Sequence, residues 1–326
     1  MMLDRRGFVG AALAAGIASR AGASLPYLAS DLEILERKHG GRLGVSCLML
    51  ERDIVIPFPL IYSDGYPIPE FREVLGFWQH QRFAFCSSFK LSLAALVLDG
   101  AEKGEWRLEE KLAYSAADLL PNSPVTQANL ALGNMTIEAL AEAAQKFSDN
   151  AAANILLRKI GGFDRLNQFW WGLGDTVSRL DDYETALNRV PLGSVRNSTT
   201  PAAMALNLVK LFYQGALSPA AAAKLKGWMH DTATGAKRLR AGLPADWWAG
   251  DKTGTGLPDD IRGTYVDLAW VEPPKLPPFA IAAFYQPPKP TPDGDPNAEA
   301  ILAEVGRMVA ARVIAQAARK PHSAKP

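Results

Sequence analysis

Cysteine is scarce in this chain of 326 residues, with only Cys47 and Cys86 present. Two cysteines cannot staple a protein of this length, so a disulfide framework is excluded as the source of its stability, and both are expected to be buried free thiols. The four histidines, His39, His80, His230 and His322, lie too far apart to give the close ligand spacing of a zinc site, so a metallohydrolase is disfavoured and neither metal nor cofactor is expected. Net charge is nearly absent: 35 Lys plus Arg stand against 34 Asp plus Glu, a balance of +1 that gives no electrostatic case for nucleic acid or an anionic membrane as partner. No apolar run approaches the roughly 20 residues of a spanning helix. What is present, 48% hydrophobic and 21% charged residues, is the balance of a soluble globular protein of one or two domains with a large core. An enzyme acting on a small molecule fits this best, and nothing calls for a second copy of the chain, so a monomer is expected.

The chain starts with a pair of arginines, Arg5 and Arg6, followed by small apolar residues over 10–18 and an A-x-A pattern at Ala21-Gly22-Ala23. This resembles a twin-arginine export signal covering residues 1–23, with the mature protein starting near Ser24 and released outside the cytoplasm or into the periplasm. Helical spacing over 27–38 ends at Gly40-Gly41 and leads into an alternating strand pattern over 42–50. Residues 51–85, with Pro57, Pro59, Pro67 and Pro69, read as an extended hairpin connection. From Ser87 to about Leu225 the pattern is helical, and strand patterns then return over 247–255, 265–271 and 279–285 before a last helix over 297–317. Strand material therefore brackets a helical block. The expected fold class is α/β (α+β): a five-stranded antiparallel sheet carrying the terminal helices, assigned to 24–85 and 230–318, with an all-helical domain over 86–229 inserted into it and a disordered tail over 319–326.

Three short motifs occur in order: Ser87-Ser88-Phe89-Lys90, Ser148-Asp149-Asn150 and Lys252-Thr253-Gly254. A Ser-x-x-Lys pair alone arises by chance about once in a chain this long, so only the ordered set carries weight. A serine at the first turn of a helix faces unpaired backbone N–H groups, and a lysine three residues on shares its face. Serine is a poor nucleophile at neutral pH, so it needs a group to take its proton; Lys90 serves if burial or a nearby cation, such as Lys252, lowers its pKa. Taken singly, Ser87 could be an ordinary N-cap, Ser148-Asp149-Asn150 a capping segment and Lys252-Thr253-Gly254 an edge strand with a turn.

A fourth element joins them at 179–188, where Glu184, Leu187 and Asn188 form a Glu-x-x-Leu-Asn pattern. With it the chain resembles the class A serine β-lactamases, whose omega loop this stretch matches over about 179–197. The resemblance spans nearly the whole mature chain. It implies Ser87 as nucleophile, Lys90 as its proton partner, Ser148 as proton relay to the departing ring nitrogen, and Glu184 with Asn188 as the groups that activate and orient the deacylating water. It implies Asn150 as a contact to the substrate amide, backbone N–H groups of Ser87 and Thr255 as the oxyanion hole, and Lys252, Thr253, Gly254 and Thr255 as the strand that meets the substrate carboxylate. Arg238, nine residues before Trp247, falls where some members place the cation that completes this carboxylate site, while Tyr265 stands where others carry it.

Departures from the family pattern bear on substrate range. Asp182 and Asn197 replace the usual charge pair across the neck of the omega loop, and a hydrogen bond between them would substitute for it. Thr185 replaces a frequent proline, Asn122 a frequent aromatic, and the connections at 51–85 and 257–262 are long. Thr255 with Arg238 occurs in carbapenem-hydrolysing relatives, but Gly256 stands where those commonly carry a second cysteine. Two alternatives share the serine and lysines. A D-alanyl-D-alanine peptidase or transpeptidase would lack Glu184 with Asn188, and a penicillin-binding sensor domain would need a membrane segment or partner module.

Overall fold

The computed structural model describes residues 27–50 and 71–318. The expected signal over 1–23, most of the proline-rich connection and the tail over 319–326 lie outside the described residues. The chain runs from α1 (Tyr27–His39) into β1 (Arg42–Leu50), β2 (Phe71–Phe77) and β3 (Phe83–Ala84). Then come α2 (Phe89–Glu102), β4 (Lys111–Ala113), α3 (Pro124–Ala128), β5 (Asn134–Thr136), α4 (Ile137–Lys146), α5 (Asn150–Ile160), α6 (Gly162–Gly172), β6 (Ser198–Thr199), α7 (Pro201–Phe212) and α8 (Pro219–His230). It closes with β7 (Trp248–Gly256), β8 (Thr264–Glu272), β9 (Phe279–Gln286) and α9 (Ala298–Ala318).

The expected five-stranded antiparallel sheet is present, in the order β2-β1-β9-β8-β7; four of its strands lie on the strand patterns of the sequence, while β2 falls inside the stretch 51–85 read as a connection. Its inner strands are covered on both faces, which is why β9 reads as an unbroken apolar run rather than an alternation. Along β9, Ala280, Ala282 and Phe284 join the core shared with the helical region, whereas Phe279, Ile281, Ala283 and Tyr285 join a second core beneath α1 and α9. On β8 the same alternation sends Val266, Leu268 and Trp270 to the first core and Tyr265, Ala269 and Val271 to the second. Asp267 shares that second face, the one polar residue among the buried residues that β8 turns to it, and is fully buried.

The helical region packs around α2, in which every residue from Phe89 to Gly100 is buried. Helix starts follow ordinary capping chemistry: Thr136, Asp149, Thr200 and Ser218 accept from the backbone of α4, α5, α7 and α8 respectively. Two short pairings add strand to this region, β3 with β6 and β4 with β5. They are too brief to show a period in sequence. β2 likewise has no clean alternation, and a bulge between Cys47 and Leu48 shifts its register against β1.

Two consequences of this packing fix the site. β7 is an edge strand, so one side of its backbone is free of sheet partners and faces the start of α2. Gly254 permits the approach: a side chain there would meet the carbonyl oxygen of Phe85 at 2.7 Å and the amide of Ser88 at 3.0 Å. The glycine of Lys252-Thr253-Gly254 is thus required by the seam between sheet and helices.

Candidate active site

Ser87 lies in a 3-10 turn, Cys86–Ser88, that feeds α2, and its side chain caps nothing. Its hydroxyl is free for other partners. Oγ accepts from Lys90 Nζ at 2.9 Å and donates to Glu184 Oε1 at 3.1 Å. Lys90 and Glu184 also pair directly at 2.9 Å, with both side chains wholly buried. Burial pulls the Lys90 ammonium below its ordinary range, against the opposing pull of Glu184. Of the two causes expected, burial or a nearby cation such as Lys252, it is burial that acts on Lys90. The effect between the lysines runs the other way: Lys252 is pushed well below its usual range by burial and then by the charge of Lys90.

Ser148 holds a left-handed backbone, φ 57°, which turns the chain sharply between α4 and α5. Its carbonyl accepts from Lys90 Nζ at 2.9 Å and from Asn122 Nδ2 at 3.0 Å. Its hydroxyl accepts from Lys252 Nζ at 3.1 Å, so Ser148 sits between the two lysines. Asp149 is the N-cap of α5 and also accepts from the amides of Val125 and Thr126, so the middle residue of this motif is a structural anchor. Asn150 accepts from Lys90 through Oδ1 and donates through Nδ2 to the carbonyl of Pro121 at 2.8 Å.

The end of the site near β7 is cationic. Arg238 is buried, and its guanidinium donates to the carbonyls of Gly254 at 3.0 Å and Val266 at 2.8 Å and to Thr255 Oγ1 at 2.6 Å. It lies over the Tyr265 ring at 5.8 Å from the centroid. Thr253 Oγ1 pairs with Thr234 Oγ1 at 2.6 Å. All eleven residues singled out in the sequence therefore meet along one seam between α2, the loop bearing Glu184 and the edge of β7.

A model of the β-lactamase enzyme family matches residues 69–313. The chain is 39% identical over 287 residues to a β-lactamase of Mycobacterium tuberculosis, covering 87% of this chain and 85% of that protein. It is 38% identical over 228 residues to the carbapenem-hydrolyzing β-lactamase KPC of Klebsiella oxytoca, covering 70% of this chain and 75% of that one. Among solved structures, the class A β-lactamase of the last common ancestor of Gram-negative bacteria is 40% identical, with a TM-score of 0.75 over 87% of this chain and 98% of that one. The chain belongs to the class A β-lactamases. It is a serine β-lactamase, and the hydrolysis it performs is the chemistry of β-lactam resistance.

In this β-lactamase asparagines hold the omega loop at Glu184 and at its neck. Asn154 of α5 accepts from the amide of Glu184 and donates to its carbonyl, each at 2.9 Å, so α5 grips the backbone of the residue whose side chain reaches Ser87. The Glu184–Thr185 peptide bond is cis. Asn188 Nδ2 donates to Glu184 Oε2 at 2.9 Å, leaving the other carboxylate oxygen to Ser87 and Lys90. At the neck, Asn197 Nδ2 donates to Asp182 Oδ2 at 2.7 Å, the bond expected to replace the missing charge pair. Asn197 Oδ1 also accepts the amides of Asp181 and Asp182, at 2.8 and 3.0 Å. Asp182 is further paired with Arg196, and these two neighbours hold its carboxyl below the usual range, the Asn197 bond contributing most.

Both cysteines are free and buried, as expected, and burial pushes each thiol up in pKa. A side chain at Gly256 would lie 2.8 Å from Cys86 Sγ, so the residue expected to break the usual cysteine pair does stand opposite that thiol. Thr234 was missed in the sequence because it belongs to no motif; the seam brings it to Thr253 from an irregular loop after α8.

Proposed function

We propose that this β-lactamase works in two steps, both centred on Ser87, and that the contact of its hydroxyl with Lys90 and Glu184 at once carries the reading. In the first step Ser87 Oγ attacks the β-lactam carbonyl carbon while its proton leaves into the Lys90–Glu184 pair. Backbone N–H groups of Ser87 and Thr255 receive the developing oxyanion, which donors fixed in advance stabilise more than the ground-state carbonyl. The ring C–N bond breaks, and Ser148 relays a proton to the departing nitrogen, giving up its own hydroxyl proton as it takes one from the neighbouring Lys252 ammonium. The product is an ester on Ser87. In the second step Glu184, held by Asn188, takes a proton from water as that water attacks the ester carbonyl; the bond to Ser87 Oγ breaks and the hydroxyl regains its proton.

Substrate orientation comes from charge. Arg238, Lys252, Thr253 and Thr255 take the carboxylate, and Asn150 takes the amide of the side chain. The substrates are penicillins and cephalosporins; the Arg238–Thr255 pair favours carbapenems as well and Gly256, in place of a second cysteine, speaks against them, so turnover of imipenem would add carbapenems and its accumulation on the enzyme would exclude them. We also place Arg5 and Arg6 in an export signal, testable by cell fractionation of an Arg5→Lys, Arg6→Lys variant, which should stay in the cytoplasm. A single copy carries the whole site, and sedimentation should find a monomer.

The acylation step is tested by quenching the reaction with benzylpenicillin in acid within milliseconds and mapping the adduct by peptide mass. It should sit on the peptide bearing Ser87, and Ser87→Ala should lose roughly 10⁴-fold or more in kcat. An adduct elsewhere, or a Ser87→Ala enzyme of near-normal rate, contradicts the assignment.

A further inference from the structure

Asp267 is out of place. It lies in the middle of β8 on the sheet face that β8 otherwise fills with Tyr265, Ala269 and Val271, and it is fully buried. A carboxyl in such surroundings is costly unless it is hydrogen-bonded. Burial, reinforced by the charge of Asp251, pushes its pKa well above the carboxylate range, against the opposing pull of Arg238. One of its oxygens, Oδ1, has no hydrogen-bond partner. The other, Oδ2, accepts from the backbone amide of Leu239 at 3.0 Å.

That amide opens the short 3-10 turn Leu239–Gly242, and Arg238 is the residue just before it. The turn is wedged between the sheet and α9. A side chain on Gly306 would meet the Leu239 carbonyl oxygen at 2.3 Å, and one on Gly242 would meet the Ala303 carbonyl oxygen at 1.9 Å. The Leu239 amide therefore cannot turn to solvent for another partner. Arg238 is fixed at its far end by Gly254, Val266 and Thr255, yet its Nε has no hydrogen-bond partner, and the Glu299 carboxylate stands 3.8 Å away. The near end of this arginine is consequently held through the backbone.

We infer that Asp267 is a positioning residue for the substrate-carboxylate site: by accepting from the Leu239 amide it anchors the turn that sets Arg238 against Thr255. This deepens the reading of Arg238 given above and rests on it. The role lies in the acceptor oxygen that takes the Leu239 amide, and Asp267→Asn, which keeps an acceptor without the charge, separates it from a counter-ion to Arg238.

The test compares benzylpenicillin with its methyl ester, which lacks the carboxylate, in the wild type and in Asp267→Ala, Asp267→Asn, Arg238→Ala and Asp267→Ala/Arg238→Ala enzymes. Asp267→Ala should lower kcat/KM for the acid about tenfold, almost entirely through KM, and leave the ester within twofold. Asp267→Asn keeps an acceptor and should stay within twofold of wild type on both. In the Arg238→Ala background, Asp267→Ala should add no further loss on the acid. Should Asp267→Ala not fold, Asp267→Ser, whose hydroxyl falls short of the amide, must show the same loss confined to the acid. The inference is overturned by an unchanged KM, by equal losses on acid and ester, or by losses that add in the double variant. If Arg238→Ala itself leaves the preference for acid over ester intact, the reading of Arg238 fails and takes the inference with it; if only Asp267→Ala does so, that reading stands and the inference alone falls.

Discussion

Lys252 is buried and has no acidic partner in contact among the described residues, and its ammonium is depressed by burial and by the charge of Lys90. A lysine with a lowered pKa is a cation only below that lowered value, so its attraction for a substrate carboxylate is complete at lower pH and fades as pH rises through it. We expect KM for benzylpenicillin to climb on the alkaline side, and Lys252→Arg to move that climb to higher pH whatever its effect on the absolute rate; superimposable alkaline limbs would contradict this. Asn188 offers a second test. Its 2.9 Å bond holds one oxygen of Glu184, and losing a hydrogen bond to a charged group costs about 1.5–3 kcal/mol, roughly tenfold to a hundredfold in rate. Asn188→Ala should slow deacylation by that factor and burst-phase acylation by much less, as read by stopped flow. At this scale legibility followed chemistry. Ser87 and Lys90 were visible through the ordered set of motifs, in which a nucleophile and its proton partner sit one helical turn apart, and Glu184 and Asn188 through the resemblance of 179–188 to the family's omega loop. Asn154, Thr234 and Asp267 act through backbone groups or lone hydroxyls brought from distant segments, and no spacing in the sequence announces that.

The omega loop is the element whose stability matters most, because it carries Glu184. Its neck depends on Asn197, which has a left-handed backbone, φ 50°, and one side chain serving two amides and the Asp182 carboxylate. Asn197→Ala removes all three bonds and puts alanine in a conformation it adopts poorly, so a loss of about 2–3 kcal/mol is expected in chemical unfolding, with faster amide exchange over 181–184. Asn197→Asp keeps an acceptor for the amides but sets a carboxylate against Asp182, so it should also destabilise, and less so at acidic pH; an aspartate as stable as the asparagine would refute this account of the neck. Elements were legible where amphipathic or apolar runs were long, as in α4, β8 and β9. The short ribbons β3–β6 and β4–β5 were not, since their pairing is decided by the packing around them and not by their own two or three residues.

Across the whole molecule, the sheet was readable as strand patterns split by a helical stretch, because two covered faces demand apolar strands and an inserted region demands a break between them. The order of the strands, and the fact that β7 forms the edge beside Ser87, came only from the folded chain. Global stability should carry the mark of the buried carboxyl at Asp251, whose pKa burial pushes up to about 6 despite its contact with Arg240. A carboxyl raised above its unfolded value of 3.8 adds stability that is complete below that value and is lost as pH rises through the folded one. The stability advantage of wild type over Asp251→Asn should therefore be larger at pH 4 than at pH 7, by up to about 3 kcal/mol. An advantage that grows with pH would show that Arg240 outweighs burial.

The central claim is that one serine is acylated and one glutamate clears it. Its most direct test is the intact mass of wild type and Glu184→Ala recorded while each reacts with benzylpenicillin. The account predicts that wild type returns to its free mass as substrate is consumed, while Glu184→Ala accumulates a lasting adduct of one opened substrate. A Glu184→Ala enzyme that clears its adduct as fast as wild type would contradict it.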